Sequence, residues 1–222
     1  TFQARAERLP VTLLAVDAAH CISEWGHDFR PSYLRIAAAA DLLGRPPTLA
    51  VTATATPPVR RDIAEHLGLR EPAVIVRGFD RPYVVPSIFR TERKRAKALE
   101  IMEAVPGSGI VYAGTRRGAE RWADAFAQAG VGAEAYHAGM TFAERAAVQE
   151  RWQQGATRVI AATSAFGMGI DKPDVRFVLH VELPPTVEAY YQEAGRAGRD
   201  GQQAYAVLLF AERDVAAARS FA

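Results

Sequence analysis

Two apolar runs without alternation, Pro10 to Val16 and Thr48 to Thr54, flank a helix-prone alanine and leucine stretch from Tyr33 to Leu43. Runs of this kind predict strands buried on both faces, and a helical spacer between them predicts a parallel pair joined by a right-handed crossover. A second helix is predicted over Pro57 to Leu67, stopped by Gly68, and a further strand over Ala73 to Val76. The passage Gly78-Phe79-Asp80-Arg81-Pro82 is rich in turn formers and is read as the domain boundary.

Beyond Arg90 the alternation is more regular. Helices are predicted over Glu92 to Val105, Arg116 to Ala129 and Thr186 to Glu193, and strands over Gly109 to Ala113, Ala133 to Tyr136, Arg158 to Thr163, Val175 to Val181 and Ala204 to Phe210. Ala119, Trp122, Phe126 and Ala129 form one stripe that ends at Gly130, as in a helix packed on a sheet. Thr141-Phe142-Ala143-Glu144 reads as a capping box opening a helix that runs to Gln154 and closes at Gly155. The expected class is therefore α/β with parallel sheets flanked by helices, divided as 1–77, a linker at 78–90, and 91–222.

The chain has 222 residues, 49% hydrophobic and 23% charged, enough for one large domain or one and a half ordinary ones. Its single cysteine, Cys21, excludes an internal disulfide framework and a multi-cysteine zinc site within this sequence, and fits a reducing compartment. No apolar run has membrane-spanning length and Thr1 to Pro10 does not read as a signal peptide, so a cytoplasmic location is expected. The net charge of +2 does not itself call for a nucleic-acid partner. Locally, Arg77 to Lys97 holds seven Lys or Arg residues against Asp80 and Glu92, a cluster that suits either a phosphate backbone or a solvated helix face.

Two places carry candidate chemistry. Asp17 ends an apolar run, where α/β sheets place ligand groups and where a carboxylate can hold magnesium; a turn or helix cap is its plain alternative. Arg196 and Arg199 stand three residues apart among glycines in Gln192-Glu193-Ala194-Gly195-Arg196-Ala197-Gly198-Arg199, a spacing that can neutralise a polyphosphate or simply form surface ion pairs.

The run Asp17-Ala18-Ala19-His20-Cys21-Ile22-Ser23-Glu24-Trp25-Gly26-His27-Asp28-Phe29-Arg30-Pro31 resembles the ATPase motif and aromatic-rich loop of RecQ-family DNA helicases. Ala50 to Ala55, Gly78 to Pro82, Tyr136 to Met140, Ala162 to Val175 and the arginine motif resemble further family signatures in the same order, so the resemblance covers essentially the whole chain. It implies RecA-like parallel sheets, namely the C-terminal part of lobe one and a complete lobe two, in an ATP-dependent motor that unwinds DNA 3′ to 5′ in recombination and repair. ATP and Mg2+ are the implied cofactors. Single-stranded and forked DNA are the implied partners, with single-stranded-DNA-binding protein and other repair factors, in a bacterial, nucleoid-associated setting.

By the same resemblance Arg199 is the finger on the γ-phosphate, supported by Arg196 and Gln192, while Asp171 links nucleotide to lobe closure and Asp17 holds the metal. His20 is expected to bridge the ATP site to Thr52 or Thr54, the coupling residues. Trp25, His27, Phe29 and Arg30 have a composition suited to stacking bases and touching phosphates. Thr115, Arg116 and Thr163 follow strands of the second lobe and are expected to contact the DNA backbone, with helix capping as their alternative.

Two departures stand out. The family motif reads Asp-Glu-Ala-His, and here Ala18 takes the glutamate position; losing that carboxylate is expected to cost on the order of 10²–10⁴ in hydrolysis while sparing metal and nucleotide binding. No G-x-x-x-x-G-K-[ST] occurs, so the P-loop and an adenine-recognition glutamine are expected upstream of Thr1. The rival reading is a non-catalytic DNA-binding or regulatory remnant of a helicase. A helicase acting on RNA is a third.

Overall fold

The computed structural model describes residues 10–24, 29–53, 55–76, 81–167 and 170–220. The chain divides into two compact units, Thr1–Gly78 and Phe79–Ala222.

In the first unit, strands β1 (Leu14–Val16) and β2 (Thr48–Ala50) pair in parallel, Leu14 opposite Thr48 and Val16 opposite Ala50. Helix α1 (Ile36–Leu42) lies between them in sequence and α2 (Pro57–His66) follows, opened by two prolines at its first turn where no N–H partner is needed. Val16, Ala19, Ile22, Val59, Ile63 and Leu67 form its core. Both strands are shorter than the apolar runs that signalled them. The run Ala73 to Val76 makes no strand; Val74, Ile75 and Val76 are exposed.

The second unit is one six-stranded parallel sheet in the order β3-β8-β7-β4-β6-β5, formed by β3 (Val84–Arg90), β4 (Ser108–Tyr112), β5 (Ala133–Tyr136), β6 (Val159–Ala162), β7 (Val175–His180) and β8 (Ala204–Phe210). Helices α3 (Lys94–Ala104), α4 (Arg116–Ala127), α5 (Phe142–Gln153), α6 (Val187–Ala194) and α7 (Glu212–Ser220) accompany it. Successive side chains of β4 go to opposite faces: Val111 joins Ala98, Met102, Ala119 and Phe126 from α3 and α4, whereas Ile110 and Tyr112 join Val148 and Trp152 from α5. The central strands β4, β6 and β7 are thus buried on both sides, which is why they read as largely apolar runs.

Reading residues 78–90 as a linker needs correction, because Val84 to Arg90 are zipped to β8 from Val84–Ala204 through Arg90–Phe210. Pro86 argues against a central strand, and β3 is an edge strand, where a missing N–H is tolerated. Helix α7 was likewise not anticipated. The capping box at α5 is present: the Thr141 side chain accepts from the Glu144 backbone, and Glu144 Oε2 accepts from Thr141 N at 2.7 Å. Among the described residues no helix is long and apolar enough to cross a membrane.

Candidate functional site

At the end of β1, Asp17 is exposed and its Oδ1 accepts the Ala18 N–H at 2.7 Å. Ala18 takes the left-handed conformation, φ 49° and ψ 41°, and opens the 3₁₀ turn Ala19–Ile22. This sharp turn buries His20, whose Nδ1 lies 2.7 Å from Thr52 Oγ1 in the loop after β2, while Cys21 is a fully buried thiol. Backbone bonds from Ala19 N to Val51 O and from Val51 N to Val16 O stitch the two loops together. Asp17, His20 and Thr52 therefore form one contiguous rim at the carboxyl ends of two parallel strands. Phe29 and Arg30 are half-buried beyond it, with Arg30 N bonded to Cys21 O. Trp25, His27 and Thr54 lie outside the described residues.

In the second unit the arginine motif begins in α6, which Thr186 caps by accepting from Ala189 N, and continues into a tight turn. Gly198 in that turn has φ +59°, and a Cβ there would stand 2.8 Å from Gln202 O, so only glycine fits. Arg81 grips the turn from outside, donating to the carbonyls of Gly195 at 2.7 Å and of Ala197 and Gly198 at 3.2 Å each. The two motif arginines differ in state. Arg199 is exposed and donates to Ile170 O and to Asp171, whereas Arg196 Nε is buried and has no hydrogen-bond partner. Gln192, half-buried, lies one turn earlier on α6.

Arg196 faces the loop after β6: its guanidinium is close enough to Gly167 that a Cβ on that glycine would sit 3.2 Å from Nη2. Tyr112, at the end of β4, donates its hydroxyl to Phe166 O in the same loop at 2.8 Å. Burial pushes the Tyr112 hydroxyl far up, and the positive charge of Arg196 offsets part of that rise. Thr115 and Thr163 sit just past the ends of the neighbouring strands β4 and β6. Thr115 caps α4 by accepting from Gly118 N at 3.0 Å, and Thr163 Oγ1 accepts weakly from Ala165 N at 3.4 Å, so both hydroxyls serve local turns. Arg116 is exposed and packs beside Gly139 in the loop after β5.

Residues 93–201 match the family of the helicase conserved C-terminal domain. Over 207 residues the chain is 43% identical to the ATP-dependent DNA helicase RecQ of Pasteurella multocida (strain Pm70), covering 93% of this chain and 33% of that protein. It is 42% identical over 215 residues to the RecQ-like DNA helicase BLM of Xenopus laevis, covering 94% of this chain and 16% of the relative. Over more than nine-tenths of its length the chain is thus similar to RecQ-family helicases. A solved structure of the Mycobacterium smegmatis helicase Lhr, bound to ssDNA and AMP-PNP, superposes with a TM-score of 0.73 at 26% identity, over 93% of this chain and 29% of that one. The fold is thus the RecA-like α/β fold of helicases.

Within this chain the residues present fit the cofactors that the family implies. The Nε of Arg196 is buried without an acceptor, on a guanidinium that also meets the Tyr112 hydroxyl. Asp17 offers an exposed carboxylate at a strand end, and no group of three or more His, Cys, Asp or Glu side chains forms a metal cage among the described residues. A single carboxylate is a ligand that Mg2+ can take together with substrate phosphates. Sequence reasoning missed Arg81 and Tyr112, which meet the arginine turn, and His180, which meets Glu193 on α6 just before it. Only Arg81 carried a visible signal, as the basic residue of Gly78-Phe79-Asp80-Arg81-Pro82.

Proposed function

We propose that this chain is the core portion of an ATP-dependent DNA helicase of the RecQ type, acting with Mg2+ and moving 3′ to 5′ along single-stranded or forked DNA in recombination and repair. The observation that carries the reading is the arginine turn: two guanidiniums on a clamped backbone, one of them with a buried Nε that has no acceptor, in a chain similar in sequence to RecQ helicases. In this reading Arg199 and Arg196 stabilise negative charge on the terminal phosphate, a task in which a preset cation is worth more than a mobile one. Asp17 holds the metal, and the bond from His20 to Thr52 ties that strand end to the loop after β2. Phe29, Arg30, Thr115, Arg116 and Thr163, with Trp25 and His27, contact DNA. ATP supplies the free energy for translocation when bound.

Ala18 brings a methyl group to the place where the family carries a carboxylate, so no group there can orient or deprotonate water. Hydrolysis by this form is accordingly slow, by a factor on the order of 10²–10⁴. The test joins this chain to the upstream lobe-one segment of a RecQ relative, with and without Ala18→Glu, and measures ATP turnover with and without single-stranded DNA. DNA-stimulated turnover that appears only with glutamate supports the motor. Absence of turnover in both, with DNA still bound, supports instead a non-catalytic DNA-binding protein, the reading that Ala18 itself favours.

A further inference from the structure

His180 ends β7 in the middle of the sheet and is 1% exposed. Its ring stacks on Tyr112 of β4, centroids 5.3 Å apart and planes 20° from parallel, and meets Tyr190 of α6 at 5.0 Å. Nε2 lies 2.8 Å from Glu193 Oε2, also on α6, a carboxylate only 14% exposed. An ionised carboxylate only accepts, so Nε2 carries the proton and donates, and the buried Nδ1 has no partner.

A buried imidazole–carboxylate contact is poorly explained by stability alone. Desolvating the carboxylate offsets much of the attraction, and two apolar side chains of the same volume would hold strand and helix together equally well. What an apolar pair does not supply is direction. The His180 hydrogen bond fixes the rotation of α6 about its axis at Glu193, whose own carbonyl accepts from Arg196 N at 3.2 Å. Arg81 holds the carbonyls of Gly195, Ala197 and Gly198 in the following turn, so the segment bearing Arg196 is held by His180 through Glu193 before it and by Arg81 along it.

We infer that His180 is a positioning residue: through Glu193 it sets the orientation of α6 and hence of the Arg196 and Arg199 guanidiniums. The importance of this orientation rests on the functional reading given above, in which those guanidiniums meet a polyphosphate.

The experiment records arginine Nε–H NMR correlations of this chain and its His180 variants, alone and with magnesium tripolyphosphate as probe. In the parent, Arg196 Nε–H is expected as a sharp, solvent-protected cross-peak. His180→Leu, which keeps the volume and loses the donor, is expected to lose that peak and, with Glu193 left unpaired, to lower the Tm, and His180→Gln, whose amide reaches the Nε2 position, to restore the peak. His180→Asn, too short to reach Glu193, is expected to resemble leucine, and this Gln–Asn contrast decides the matter if the leucine variant fails to fold. An Arg196 peak that survives in both the leucine and asparagine variants, or is lost equally in all three, overturns the inference. Tripolyphosphate reports separately: if it shifts neither Arg196 nor Arg199 in the parent, the polyphosphate reading falls, whatever the His180 variants show.

Discussion

Arg199 donates to the Asp171 carboxylate at 3.2 Å, so the arginine assigned to the γ-phosphate already has an anionic partner. The Asp171 side chain is 87% exposed, which limits the strength of the pair. A polyphosphate must displace or share that carboxylate to reach the guanidinium.

Asp171→Ala is accordingly expected to change stability by less than about 1 kcal/mol. The same change frees Arg199 and is expected to tighten polyphosphate binding by roughly threefold to fivefold, the equivalent of such a pair. Isothermal titration of parent and variant checks this, and weaker binding by the variant would show that Asp171 assists the ligand.

Arg81→Ala removes donors from three carbonyls of the arginine turn at once. A loss of about 2–4 kcal/mol is expected, since bonds to a charged donor each contribute roughly 1.5–3 kcal/mol and part is regained from water. Arg81→Lys is expected to recover little, because a point ammonium cannot span the positions that a planar fork reaches. Urea unfolding of the three proteins gives the order.

Ala18 occupies a left-handed backbone conformation at φ 49°. That conformation costs an L-residue roughly 1–2 kcal/mol, and glycine avoids the cost while gaining roughly 0.5–1 kcal/mol of unfolded freedom. Ala18→Gly is therefore expected to stabilise the first unit by up to about 1 kcal/mol, read as a higher urea midpoint. Glutamate meets the same backbone cost as alanine, so Ala18→Glu is expected to leave the midpoint where it is.

The Thr141 backbone N–H, and then its hydroxyl, hold the Glu144 carboxyl below the ordinary glutamate range. A carboxyl lowered by folding adds stability above its unfolded value of about 4.3, and that stability is lost as pH falls through the lower folded value. Glu144→Gln keeps a capping acceptor without the charge. Its Tm is expected to fall less steeply than the parent's between about pH 5 and pH 3. Parallel curves would remove Glu144 from the acid sensitivity.

Where side-chain pattern and local chemistry agree, the elements could be read directly: β5 and β8 begin and end where their apolar runs do, and α5 opens at its capping box. The apolar run Ala73 to Val76 misled because hydrophobicity alone does not supply a strand partner. Strand β3 was hidden by Pro86, whose tolerance depends on its edge position, a fact of topology rather than of local sequence. The rim at Asp17, His20 and Thr52 could be anticipated from motif order. The clamp from Arg81 to Gly195 joins residues 114 apart, and the His180–Glu193 contact crosses from strand to helix, so neither leaves a periodic trace.

Only two residues separate Arg81 from β3, and its fork is fastened to the turn bearing Arg196 and Arg199. Tension on the backbone where it enters the second unit has two load paths, along the β3–β8 ladder and through a guanidinium into the arginine turn. A pull on that strand is therefore passed to the charged groups of the turn as well as to the sheet.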